Sequence, residues 1–158
     1  MHSPETSDEA AALRVALRVR ETMLADDHAS RALGIDIAEV APGRALARMR
    51  VRRDMLNGFG ICHGGLITTL ADTAFAYACN SGNHVTVAAG ISVDFVAPAH
   101  EGDELSASCE QRTQQARTGV YDVVVRNQHG HTVALMRGRS HRLKGRQVFA
   151  TGEPAPQS

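Results

Sequence analysis

The 158-residue chain has no net charge, because 17 Lys and Arg balance 17 Asp and Glu. That balance argues against a dedicated nucleic-acid binder, which carries a basic excess. Cysteines are few: Cys62, Cys79 and Cys109 are odd in number and show no C-x-x-C spacing, so reduced thiols in a cytoplasmic protein are expected. The eight histidines include no ligand spacing such as H-E-x-x-H, and no metal site is expected. An uninterrupted apolar stretch near the N-terminus is also missing. Arg14, Arg18 and Arg20 break that region, which argues against a secretory signal, and the acidic Glu5, Asp8 and Glu9 argue against an organelle-targeting peptide. The most apolar run, 64–79, is too short to span a membrane and contains Asp72. Internal repeats and a second domain are not evident.

Charge is scarcest between Asp54 and Asp94, where Asp72 is the single formally charged residue. It stands in HGGLITTLADTAFAYACNS (63–81), a small-residue run with hydrophobic residues on every face, the pattern of a buried helix. An ionised carboxylate in such a place is costly and needs hydrogen bonds, a raised pKa or a task. Gly64 and Gly65 open the helix directly after His63, and the first amides of a helix have no partners within it. Gly65 and Asp72 are seven residues apart, a rise of about 10 Å. A carbonyl held at the helix start is thus beyond easy reach of the same chain's Asp72. If the two groups cooperate, a second copy must supply one of them, so at least a symmetric dimer is expected.

The remaining segments read as α+β. A helix is expected from an N-cap at Ser7 to about Ala25, with Leu13, Ala16, Leu17 and Leu24 as its apolar stripe and residues 1–7 frayed. A hairpin of 35–40 and 45–51 follows around APGR. Next come the glycine-rich loop DMLNGFGICHGG (54–65) and the buried helix, stopped by Ser81-Gly82-Asn83. Strands at 85–96, 104–115, 120–127 and 132–142 then form an antiparallel meander. One long helix and five or six strands imply a sheet curled around that helix. Residues 1–30 form a helical extension, 31–144 the domain, and 145–158, with Pro154 and Pro156, a disordered tail.

The pattern Asn57…His63-Gly64-Gly65…Asp72 resembles the hot-dog-fold acyl-CoA thioesterases, and among them those of phenylacetate degradation. Asn57 lies six residues before His63, and Asp72 nine after it. The likeness extends through VDFVAPAHEGDEL (93–105) and VYDVVVRNQHGHTVALMRGRSHRL (120–143), covering roughly residues 30–144. It implies that the thioester carbonyl of an acyl-CoA bonds the amide of Gly64 or Gly65, where the helix dipole favours the oxyanion. Asp72 of the facing subunit would attack the carbonyl or activate water. Asn57 would orient the carboxylate or the water, and His63 would fix the loop. Two positions where some relatives place a hydroxyl on the water, Ala76 and Ala88, are alanines here, leaving Thr73 as a substitute. Arg137, Arg139, Arg142 and Lys144 are candidates, by charge, for the nucleotide end of coenzyme A. The resemblance further implies an arylacetyl-type CoA substrate, no metal or redox cofactor, and a tetramer built as a dimer of dimers. Other hot-dog activities, aromatic acyl-CoA hydrolysis in quinone synthesis among them, and a non-catalytic acyl-CoA sensor are the competing readings.

Overall fold

In the computed structural model, which describes residues 4–152, the elements run α1 (Pro4–Asp26), α2 (His28–Leu33), β1 (Asp36–Ala41), β2 (Arg44–Arg50), a 3₁₀ turn (Arg53–Met55), α3 (Gly64–Asn80), β3 (His84–Phe95), β4 (Glu104–Gln115), β5 (Thr118–Arg126) and β6 (Thr132–Gln147). The strands form one antiparallel sheet in the order β1-β2-β4-β5-β6-β3. Its concave face wraps α3, which is the hot-dog arrangement. Alternate residues Ala107, Cys109, Val123, Val125 and Met136 turn inward and meet Ile67, Leu70, Ala71, Ala74, Phe75 and Ala78 of the helix, all buried. Phe75 packs against β6. A side chain at Gly138 would bring its Cβ within 2.8 Å of that ring, so only glycine fits on β6 there.

Helix α1 starts at Pro4, ahead of the expected cap, and Ser7 lies inside the first turns. Proline suits a first turn because its missing N–H would have had no helical partner. The expected apolar stripe is corrected too. Ala16 and Val19 are the fully buried positions, while Leu13 and Leu17 face outward. The direction of a long helix's buried face is set by what packs on it, here β1. Arg20 Nε donates to Ile37 O at 2.8 Å and so covers part of that sheet edge. Helix α2 is capped by Asp27, which accepts from Ser30 N and also from the Tyr77 hydroxyl at 3.0 Å, tying the N-terminal helices to α3.

At the other end, β6 continues past the expected 142 to Gln147, because β3 pairs it that far. Phe149 then exchanges two hydrogen bonds with Asn83 and lies under the Arg18 guanidinium. Order therefore extends beyond 145, and residues 153–158 lie outside the described residues. Among the described residues no helix is long and apolar enough to cross a membrane.

Candidate active site

The loop before α3 is built by Asn57. Its side-chain oxygen accepts from Phe59 N at 2.9 Å and Ile61 N at 3.4 Å, its backbone N–H donates to Ile61 O, and Gly60 takes the positive φ that closes the turn. The oxygen of Asn57 is thus committed to the loop, and only its amide nitrogen is left for a ligand. His63 is the N-cap of α3: its Nδ1 accepts from Gly65 N at 3.1 Å. This bond separates two glycines that sequence alone could not distinguish. The Gly65 amide is consumed by the cap, whereas the Gly64 amide has no partner among the described residues.

That free amide opens into an apolar cleft of about 470 Å³, lined by Asn57, Ile61, Cys62, Gly64, Ile67 and the segment Phe95–Pro98. Phe95 was not singled out in the sequence, yet its ring end lies 2.9 Å from where a Gly64 Cβ would stand. A position at the end of a strand carries no sequence mark of what it will cover; only the pairing of β3 with β6 places it there.

Asp72 sits two turns further along α3 and is half-buried. Burial alone holds its carboxyl above the ordinary carboxylate range, and no hydrogen bond among the described residues offsets it. It is about 12 Å along the axis from Gly64. The exposed side of the helix there carries Thr68, Thr69 and Thr73, whose hydroxyls each donate to the carbonyl four residues back. Thr73 can therefore accept a bond from water but has no free proton to give it.

The four basic candidates do not form one patch. Arg137 and Arg139 point from the outer face of the sheet, alternating with buried Met136, Gly138 and Ser140. Arg137 is bound to Asp122 by two bonds of 2.7 and 2.9 Å, and Arg139 lies across Gly90 of β3. Arg142 turns inward, and Lys144 follows it two residues on near the exposed end of the strand. Period-two counting along β6 separates the two pairs, a signal that the charge run conceals.

Residues 59–134 match the family described as the thioesterase superfamily. The acyl-coenzyme A thioesterase PaaI of Escherichia coli is 49% identical over 123 residues, covering 78% of this chain and 88% of that one. The chain belongs to the thioesterase superfamily. Its backbone agrees with this: it superposes on the structure of the E. coli PaaI protein with a TM-score of 0.83 at 46% identity, over 85% of this chain and 97% of that one. A Streptococcus mutans protein solved with acetyl-CoA bound is similar at a TM-score of 0.69 and 26% identity, over 72% of this chain and 91% of that one. This hot-dog thioesterase is PaaI-like.

Proposed function

We propose that this thioesterase hydrolyses an arylacetyl-CoA, such as phenylacetyl-CoA or a ring-hydroxylated analogue, to the free acid and coenzyme A. The observation that carries the reading is the Gly64 amide at the start of α3, beside an apolar cleft, and Asp72 further along the same helix, both without a hydrogen-bond partner among the described residues. The arylacetyl preference rests on likeness to the E. coli PaaI protein from the phenylacetic acid degradation operon.

The carbonyl oxygen of the thioester accepts from the Gly64 N–H, at the positive end of the helix, where the growing negative charge is stabilised. The Asp72 carboxylate takes a proton from water as the water oxygen bonds the carbonyl carbon. The C–S bond then breaks, and the leaving thiolate recovers the proton from Asp72. In the alternative route the carboxylate itself bonds the carbonyl carbon, expels the thiolate, and water cleaves the resulting anhydride. Neither route requires a metal or redox cofactor. Because about 12 Å separates Gly64 from Asp72 along one helix, each site takes Gly64 from one protomer and Asp72 from another, within a dimer or a dimer of dimers.

The surface for that pairing is β3. It is an edge strand of 12 residues, and Ile91 and Phe95, on its helix-facing side, are exposed in the single chain. The test is thiol release from phenylacetyl, hydroxyphenylacetyl, benzoyl, short-chain and long-chain CoA thioesters by the wild type and Asp72→Asn. Arylacetyl turnover that falls about 10³-fold in the variant is the expected outcome. Turnover that survives the substitution removes Asp72 from the chemistry, and tight binding with no thiol released from any thioester turns the reading to a sensor.

A further inference from the structure

Arg142 lines a second cavity, of about 570 Å³, at the opposite end of α3 from the candidate active site. Ala78, in its wall, stands fourteen residues beyond Gly64, about 21 Å along the axis. The floor is the last turn of α3, Val15 of α1 closes one side, and Arg44, Glu110 and Tyr121 of the sheet form the others. Arg142 is partly buried. Its Nε is shut off from solvent with no hydrogen-bond partner, and its guanidinium takes part in none of the ion pairs among the described residues.

A buried arginine nitrogen is normally paired. Several nearby acceptors are already engaged, although Gln114 Oε1, beside Ser140, has no partner among the described residues. Carbonyls in the last turns of α3 are satisfied by their own neighbours: Ser81 N and Oγ both donate to Ala78 O, and Asn80 Nδ2 donates to Ala76 O. Glu110, at the rim, faces Arg112 at 3.9 Å. Two residues back on the same inward face of β6, the Ser140 Oγ is likewise buried without a partner among the described residues. Arg44 brings a second positive charge to the opening, and the rest of the wall mixes apolar Ala12, Val15 and Ala78 with polar Ser81, Glu110 and Gln111.

We propose that this cavity is a binding site for a small organic anion, an apolar body headed by a carboxylate or phosphate, with Arg142 as its counter-ion. A guanidinium offers parallel N–H donors to either head group. The anion has two possible sources, a free carboxylic acid of the kind thioester hydrolysis releases or the phosphorylated end of coenzyme A. The site stands on its own geometry and not on the thioesterase reading.

The test is calorimetric titration of phenylacetate, inorganic phosphate and coenzyme A onto the full-length wild type and Arg142→Gln, together with the Tm of each free protein. At least one anion binds the wild type and is weakened about tenfold or more in the variant, the loss of a charge-assisted bond. The free variant melts no lower than the wild type, since an unpaired charge has been removed. Loss of phosphate and coenzyme A binding together assigns the phosphate source, and loss of phenylacetate alone the carboxylate. No binding of any probe to the wild type, or equal affinity in both proteins, overturns the proposal. If Arg142→Gln does not fold, Arg142→Met, which removes the charge but keeps much of the side-chain stem, replaces it, and unchanged affinity there overturns the proposal equally. The titrations read no turnover, so a failure of the thioesterase reading would leave their outcome intact.

Discussion

Gly64 and Gly65 are adjacent and chemically identical, yet substituting them should have different consequences. A methyl at Gly64 meets the Phe95 ring at 2.9 Å and intrudes on the approach to the one uncommitted amide, whereas a methyl at Gly65 meets the His63 ring at 3.3 Å, beside an amide already used in the cap. Gly64→Ala is expected to lower kcat/KM about 10²-fold, on the order of losing one oxyanion donor. It should change the Tm little, because alanine favours the helix over glycine and offsets the displacement of the Phe95 ring. Gly65→Ala should cost less than about tenfold. Thiol release with Tm measured alongside decides the ranking, and the reverse order would assign the oxyanion to Gly65.

Asp72 supplies a prediction in pH. Its folded pKa is raised by burial, so the folded state binds the proton more tightly than the unfolded chain. The stability this contributes is fully present below the unfolded carboxylate pKa and is lost as pH rises through the folded one. Asp72→Asn, which cannot ionise, should therefore melt above the wild type at neutral pH, with the gap closing as pH falls below the carboxylate range. Thermal melts of both proteins across pH measure this. If Asp72 acts as an ionised base, the acid limb of the wild-type rate profile should lie above the ordinary carboxylate range.

At the scale of elements, the two edges of the sheet are treated differently. The β1 edge is short and partly covered by α1, with Arg20 on Ile37 O, while β3 is twice as long and leaves apolar side chains uncovered. Ile91→Lys places a charge on the uncovered stretch and should yield monomers with little thiol release, as sedimentation and activity on the same sample would show. A variant that stays associated and active would move the interface away from β3. Unlike the edges, α3 was legible in the sequence to within a residue, because His63-Gly64-Gly65 and Ser81-Gly82-Asn83 mark its ends and the absence of charge marks its burial. The strands β4, β5 and β6 were legible for the same reason, since turn residues punctuate alternating runs, but the expected meander breaks at β3, which crosses to the far edge and pairs with β6 while β4 pairs with β2. What escaped depends on tertiary partners. The outward turn of Leu13 and Leu17, the ring of Phe95 on Gly64 and the capture of the Gly65 amide by His63 are each decided by a neighbour distant in sequence or by a single rotamer.

At the scale of the whole molecule, the distance along α3 makes a quantitative demand. If every site joins Gly64 of one protomer to Asp72 of another, a dimer holding one Gly64→Ala chain and one Asp72→Asn chain contains one intact site and one that carries both lesions. Random pairing of the two variants makes half the dimers mixed, so co-refolded protein should recover about a quarter of wild-type activity from parents that are each nearly inactive. The prediction requires only that the two chains exchange, which differential tags would verify. A site contained within one chain behaves otherwise: every chain in the mixture carries a lesion, and activity cannot exceed the average of the two parents. Recovery near a quarter therefore places the carboxylate and the amide on different chains, and no recovery in verified mixed dimers returns Asp72 to the site of its own helix.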